Sequence, residues 1–512
     1  MVRDIIIQLV EKKEFFEGLL LEHLQISLIA IIIACIIGLV LGILISEYKK
    51  SSKLVLAIVN FVYTIPSISL LGFLIPLSGI GNTTAIIALT IYALLPMVRN
   101  THTGICNIDS RILEAAEGMG STKFQILYKI KIPLAMPVIM SGIRNMATMT
   151  IALAGIASFI GAGGLGVAIY RGITTNNSSM TLAGSLLIAL LAIIVDFILS
   201  RIERLWTRNG KNEERKKRIV VSLIIIICTL IFGKMITNGG RVSTLNVATK
   251  PMTEQYIIGS MLKEVIEEDT DLQVKLTQGV GGGTSNIMPG MESGEFDMYP
   301  EYTSTGWNMV LKHEGFYDET MYEDLKKEYK EKYNFKWTGV FGFNDTFGLA
   351  VRKDIAEKYN LKTYSDLAKI SDKLVFGAEY DFYERPDGYD AFCSTYGFNF
   401  KETIDLDIGL KYQAMNEEKV DVMDIFTTDG QLAVADVVVL EDDKKFFSSA
   451  MGAMVVRNEI LENYPELNNV FKKLEGILND EKMAYLNYRV ETEGVDAEVV
   501  AHEFLIETGI LK

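Results

Sequence analysis

Glu114, Ala115, Ala116, Gly120, Ile130, Ile132 and Pro133 form a spaced set, Glu-Ala-Ala-x3-Gly-x9-Ile-x-Ile-Pro, whose chemistry is contact with another surface rather than bond breaking. Residues 110–120 suit a short helix carrying Leu113, Ala116 and Glu117, with Gly120 and Pro133 as stop signals. Small side chains at Ala115, Ala116 and Gly120 let a second protein approach the backbone closely. Groups for catalysis are scattered by comparison. His23, His102, His313 and His502 share no ligand spacing, and Cys35, Cys106, Cys228 and Cys393 leave a single thiol beyond residue 242, so no disulfide framework is available there. No Gly-x4-Gly-Lys-Ser/Thr occurs, and the run from Gly281 to Thr284 lacks the lysine of a phosphate loop. The chain is expected to carry no metal, no cofactor and no catalytic centre. Any nucleotide hydrolysis linked to it falls to another polypeptide.

Charge divides the 512 residues in two. Residues 1–241 hold 23 Lys+Arg and 13 Asp+Glu; subtracted from totals of 50 and 64, this leaves 27 and 51 for residues 242–512, so the net charges are +10 and −24. A basic apolar half and an acidic half belong to different surroundings, each long enough to bury its own core. The acidic half excludes nucleic acid as its partner.

Six apolar stretches, 24–46, 54–78, 83–97, 140–159, 182–199 and 219–236, approach the roughly 20 residues that a helix needs to cross a bilayer, the third being short. Pro66, Pro76 and the glycine-rich run Gly161 to Gly166 predict broken or re-entrant pieces buried in protein. Basic residues follow the first span (Lys49, Lys50, Lys53), separate the third from the fourth (Arg99, Arg111, Lys123, Lys129, Lys131) and the fifth from the sixth (Arg201, Arg204, Arg208, Lys211, 215–218). The positive-inside rule puts these connections in the cytoplasm, and six spans then put residues 237–512 outside the cell. Residues 1–22 mix apolar and charged side chains without a small-residue cleavage site, which predicts an amphipathic outer surface helix rather than a removable signal.

Beyond residue 243, short apolar runs at 245–248, 274–276, 296–299, 374–377, 420–423, 437–440 and 454–456 alternate with amphipathic stretches at 254–267 and 364–370, and helices are expected at 461–478, 481–488 and 496–506. This is an α/β pattern, and about 270 residues suit two lobes.

The Glu114 to Pro133 spacing resembles the cytoplasmic loop of permeases in ATP-driven importers, the loop that receives force from the ATPase. A second resemblance covers nearly all of residues 243–512. Lys250-Pro-Met-Thr-Glu254, Asp297 to Thr305, Phe343-Asn-Asp-Thr-Phe347, Gly377 to Tyr380 with Arg385-Pro-Asp-Gly-Tyr389, and Thr427-Thr-Asp-Gly430 are similar to the solute-binding proteins of osmoprotectant importers. Together they imply a multidomain fold. An all-α transmembrane permease bundle of the type I importer kind (23–236, coupling loop 109–140) is joined by a linker (237–243) to a two-lobed, periplasmic-binding-protein-like α/β domain of type II, residues 244–512. Lobe 1 is expected at 244–345 and 446–512, lobe 2 at 346–445.

The resemblance implies a quaternary ammonium ligand such as glycine betaine, carnitine, choline or ergothioneine. A trimethylammonium has a permanent charge and no N–H, so aromatic faces hold it, at about 0.5–2 kcal/mol per contact. A carboxylate on the same ligand wants a fork donor, and Arg is the best one. The resemblance places cage residues at Tyr302, Phe347 and Phe426, polar contacts at Lys250, Thr305 and Thr346, and the carboxylate clamp at Arg385. Tyr299 and Tyr380 read as packing. Phe347 and Phe426 stand where these receptors often carry Tyr, and Ser448 to Gly452 replaces an aromatic segment after Phe446-Phe447. Met451 and its small neighbours would make a roomier cage, which favours a larger betaine such as ergothioneine, whose sulfur suits Met451. The same resemblance implies a plasma-membrane, multi-pass protein. It would act with a second copy of itself and two copies of a cytoplasmic ATP-binding subunit, coupled through Glu114, Ala115, Ala116, Gly120, Ile132 and Pro133. The rival reading is a membrane receptor that senses ligand without transport; it lacks a visible signalling domain.

Overall fold

The computed structural model describes residues 2–175, 177–207, 244–385 and 388–511. The chain divides into two compact units, one made of 1–169 with 182–241 and one of 170–181 with 242–512. The sixth expected span, 219–236, the linker 237–243 and Cys228 lie outside the described residues.

The chain up to residue 207 is helical: α1 (Val2–Glu11), α2 (Lys13–Glu47), α3 (Lys49–Tyr63), α4 (Ser67–Ser78), α5 (Asn82–Cys106), α6 (Ser110–Gly118), α7 (Lys123–Ile126), α8 (Ile132–Leu153), α9 (Gly166–Thr174) and α10 (Ser178–Thr207), of which residues 170–181 count with the second unit. Among the described residues four helical stretches are long and apolar enough to cross a membrane, or five if α3 and α4, bent by 96° at Pro66, form one broken span. The ambiguous third stretch is a full helix of 25 residues, α5, which Thr84, Thr90, Thr101 and Pro96 had disguised. The first span starts at Lys13, so residues 13–22, expected in the surface segment, continue into it. Residues 132–140, expected in the coupling loop, belong to α8.

Small residues decide how α2 meets α5. Ala30, Ala34, Gly38 and Gly42 recur every fourth position, one face of a helix, and all four are buried. A Cβ on Gly38 would stand 2.6 Å from the Met97 side chain and one on Gly42 2.5 Å from that of Thr101, so side chains of α5 lie directly against the α2 backbone at that stripe. On α10, by contrast, Leu182, Leu186, Leu190, Ile193 and Phe197 form an exposed apolar face, as lipid contact requires. Arg144 of α8 ties α10 in place through a bidentate pair with Asp196 at 2.9 and 3.0 Å and a contact to Glu203 at 2.9 Å.

In the second unit, residues 244–511 build two five-stranded sheets with one plan. The first is ordered β2 (Gln273–Thr277), β1 (Thr244–Ala248), β3 (Met298–Tyr302), β10 (Gly452–Arg457), β4 (Phe335–Thr338); the second β7 (Glu402–Leu406), β6 (Val375–Glu379), β8 (Val422–Phe426), β5 (Phe347–Arg352), β9 (Val437–Val439). In each, four strands run in one direction and the single reversed strand, next to the edge, is the one that has just crossed from the other sheet: β5 after 339–346, β10 after 440–451. Sequence reading missed β4, β5 and β7. β4 is four residues long, β7 is a charged edge strand, and β5 begins within the motif Phe343 to Phe347.

The two crossovers zip together. Asn344 and Met451 form a bridge, the Asp345 N–H donates to the Ala450 carbonyl at 3.0 Å, and the Thr346 hydroxyl donates to the Ser448 carbonyl at 2.7 Å. At their centre the Thr428 hydroxyl lies 2.6 Å from Glu254 Oε2, on the first-sheet side, and 2.8 Å from Asp345 Oδ1. A hydroxyl has one proton to donate, so it satisfies one carboxylate only and the other contact needs a protonated carboxyl. Tyr302 O–H donates to the other oxygen of Glu254, and Asn487 reaches both Glu254 and the Thr428 carbonyl. Burial raises both carboxyls above the usual range, and for Asp345 the Glu254 charge adds to it.

Replacing Gly42 by Leu overpacks the α2–α5 contact and should destabilise the unit by about 1–3 kcal/mol, whereas Gly18→Ala, whose Cβ meets nothing within 4 Å, should not; thermal melts of the detergent-solubilised protein compare them. A carboxyl raised in the native state keeps a proton that the unfolded chain releases near pH 4, so stability is full below that value and declines as pH rises towards the native pKa. Each pH unit crossed with one extra native proton costs about 1.4 kcal/mol. Melting followed by Trp307 and Trp337 fluorescence should thus fall from pH 5 to pH 8, and Asp345→Asn should flatten the slope.

Candidate functional site

Two sites were expected. In the loop, Asp109 caps α6, accepting from the Arg111 N–H at 3.0 Å, and Ala116 is buried while Glu114 and Ala115 face outward. Gly120 ends the turn at φ 82° with open space around it, a left-handed conformation that favours glycine. Thr122 and Gln125 close a reciprocal cap on α7. Ile132 and Pro133 open α8, beyond the turn. Sequence reading overlooked Met119, Phe124 and Tyr128, which are 79%, 75% and 64% exposed, the last two stacked with centroids 6.5 Å apart. Large apolar side chains held outward on a basic loop are exposed surface of the kind that binding partners cover. Their i,i+4 spacing at Phe124 and Tyr128 was the available signal.

Between the two sheets a narrow cleft is lined by Ser304, Thr346, Phe347, Arg385, Phe446, Phe447, Ser448 and Ala450. Phe347 opens β5 and pairs with Phe426 at the end of β8, ring centroids 5.0 Å apart; Phe382 and Phe447 lie 5.3 and 5.9 Å from it. Arg385, in the loop after the helix Tyr380–Glu384, holds its guanidinium carbon 5.4 Å from the Phe347 centroid and points Nη1 at the Thr305 hydroxyl, 3.5 Å away on the first-sheet side. Of the expected residues, Thr346, Phe347 and Arg385 therefore line the cleft and Thr305 borders it.

The others sit elsewhere. Lys250 is buried, bonded to Glu301, and lies 4.6 Å over the Tyr302 ring, while Thr284 holds the second oxygen of Glu301 at 2.7 Å. Tyr302 is buried with its hydroxyl committed to Glu254 and Gln255. Phe426 is nearly buried, with Lys411 Nζ 4.4 Å from its centroid. Met451 is fixed through its backbone, its N–H donating to Thr303. Ser304, Phe446, Phe447 and Ser448 line the cleft as well, and the sequence signal for the last three is the departure from the family pattern that follows Phe446-Phe447. The cleft thus offers aromatic faces, one guanidinium and the Ser304 and Ser448 hydroxyls, the Thr346 proton being given to the Ser448 carbonyl, a set that can hold a cation by ring faces and an anion by fork and hydroxyl donors.

Comparison with known proteins agrees with both halves. Residues 243–507 match the family described as the substrate binding domain of ABC-type glycine betaine transport system, and residues 34–208 match the binding-protein-dependent transport system inner membrane component. The ergothioneine transport permease/ergothioneine binding protein EgtU of Helicobacter pylori (strain G27) is 37% identical over 484 residues, 93% of this chain and 87% of that protein. The carnitine transport binding protein OpuCC of Listeria monocytogenes is 33% identical over 57% of this chain and 96% of that one, and the glycine betaine/carnitine/choline transport system permease protein OpuCB of Bacillus subtilis is 42% identical over 37% and 87%. Permease helices and a two-sheet binding domain on one polypeptide place this chain in the family of ABC-type glycine betaine/carnitine/choline transport systems, as a membrane protein in which permease and substrate-binding domain are fused.

Proposed function

We propose that the chain imports a zwitterionic quaternary ammonium solute, with a betaine as large as ergothioneine preferred over glycine betaine. The observation that carries this reading is the cleft between the sheets, where Phe347 and Phe447 stand beside Arg385 and the Thr346 and Ser448 hydroxyls. Rings answer a cation that lacks N–H, and the guanidinium answers a carboxylate. The likeness to a fused ergothioneine permease and binding protein over most of both chains favours the larger ligand. Domain 244–512 receives the solute outside the cell, and its lobes close on it, because a ligand shifts such an equilibrium only by binding the closed form more tightly.

A separate ATP-binding subunit docks on the loop around Glu114, Ala115, Ala116 and Gly120, with Met119, Phe124 and Tyr128 as its apolar contacts. Two copies of this chain and two of the ATPase complete the transporter. Calorimetric titration of the detergent-solubilised chain should give heat with ergothioneine at concentrations where glycine betaine gives little; tight glycine betaine binding without ergothioneine heat overturns the preference. Glu114→Lys should cut uptake at least tenfold in cells and leave ligand affinity within about twofold, since the loop acts on coupling and not on the cleft. Equal loss of binding and uptake would remove the loop from that role.

A further inference from the structure

Exposed positions on the permease helices α2 and α10 are apolar, and α8 breaks that rule. α2 exposes Ile33, Ile36, Ile37 and Val40, and α10 exposes its Leu182 to Phe197 face. On α8 the exposed positions beyond Leu134 are Pro137, Ser141, Asn145 and Ala152, with half-buried Thr148 in line between the last two. Steps of three and four residues put them on one helix face. The Thr148 hydroxyl is satisfied by the Arg144 carbonyl at 3.0 Å. The Ser141 hydroxyl and the Asn145 amide have no hydrogen-bond partner among the described residues. An unpaired amide turned to hydrocarbon is strongly unfavourable, so this face meets water, solute or protein rather than lipid. An aromatic ring stands beside it. Tyr63 closes α3, donates its hydroxyl to the Met149 sulfur at 3.2 Å, meets Tyr92 edge to face and keeps 37% of its surface exposed. From the basic ends of their helices, Lys49 and Ile132, Tyr63 and Asn145 each lie about 20 Å along at 1.5 Å per residue, well inside a hydrocarbon core about 30 Å thick. The charges next to Asn145 suit a cation too: Arg144 is set against two carboxylates, Asp196 and Glu203.

We infer that Tyr63, Ser141 and Asn145 form a second, transient binding station for the quaternary ammonium solute within the membrane, on a passage wall that a second copy of this chain completes. This rests on the proposed import of such a solute. The Tyr63 ring gives the trimethylammonium a face. The Asn145 amide and the Ser141 hydroxyl donate to the carboxylate or to the water that travels with it. One ring and neutral donors hold the solute less firmly than several rings and a guanidinium. Weak holding is what a station on a passage requires, since the solute must enter and then leave. A two-fold pair presents the same face from both sides, so one chain supplies one wall and the station is enclosed only in the pair.

Accessibility to a charged reagent separates a passage from lipid contact and from dry packing of two copies. The full chain, its four cysteines replaced by serine, is co-expressed with the ATPase, and membrane vesicles carrying Ser141→Cys, Asn145→Cys or the lipid-side control Leu186→Cys are treated from both sides with a trimethylammonium-ethyl methanethiosulfonate. Cysteines at 141 and 145 should react at least about tenfold faster than at 186, because a permanent cation reacts where water reaches, and modification at 145 should block uptake. Reaction as slow as at 186, or modification that leaves uptake intact, overturns the inference. Tyr63 provides a second test, which also serves if the cysteine-free chain does not assemble. Tyr63→Phe keeps the ring and should leave uptake unchanged, whereas Tyr63→Leu should cut it by roughly 2–30-fold, the span of one lost ring contact, with the affinity of the solubilised chain for ergothioneine unaltered. Equal uptake by the two variants overturns the station. Wild-type vesicles that take up neither ergothioneine nor any other betaine would instead sink the functional reading beneath it, while the cysteine rates would still report whether the face is wet.

Discussion

The Thr428 hydroxyl, set between Glu254 and Asp345, is the contact on which the binding half hangs. Two charged carboxylates buried side by side would cost several kcal/mol each, whereas a pair that keeps one proton and shares one hydroxyl buries a single charge. The geometry matters because hydrogen bonds are directional and apolar packing is not. Asp345 is followed by Thr346 and Phe347, so the position of this bond fixes where the cleft's ring and hydroxyl stand. The first sheet contributes Glu254 and Asn487, the second Thr428, and the crossover Asp345. A small rearrangement here would move both walls of the cleft together.

In the permease half the corresponding constraint is that lipid offers the backbone no partners. The helical path breaks where α3 meets α4, between α4 and α5, and at Gly161 to Leu165, and each break is answered from within the protein. Gly163 N–H donates to Asn82 at 2.9 Å, Gly164 N–H to Glu22 at 3.2 Å, Gly81 N–H to the Ile160 carbonyl at 2.8 Å, and the Tyr92 hydroxyl to the Ile65 carbonyl. Glu22 and His23 therefore have work inside the bundle, with His23 Nε2 2.9 Å from the Ile151 carbonyl. Composition had assigned the residues up to Glu22 to a surface segment, because charge alone does not reveal a partner about 140 residues away.

Local signals carried far in this sequence, and non-local ones did not. The division into two units, the α/β alternation, the cap and stop around residues 109–120 and the broken character of the Gly161 to Gly166 run were legible, since each depends on periodicity or on residues a few positions apart. Tyr302 was placed by its motif in a ligand cage, yet its hydroxyl belongs to Glu254 and its ring to Lys250, pairings that exist only once β3 and the helix Thr253–Asp269 are side by side. Phe447 and Ser448 entered the cleft because the second crossover folds back on the first. The motif identified which segments converge on the ligand; burial and pairing decided which side chains remained available.

Joining the two halves in one polypeptide changes what the acidic half needs from its surface. A separate receptor must find its permease by diffusion and hold it through its own contacts, whereas a short connection supplies an effective concentration in the millimolar range. Docking then requires only about 4 kcal/mol of intrinsic affinity, the equivalent of a millimolar dissociation constant. The fusion thereby lets the binding half be tuned for its solute while attachment is left to the chain.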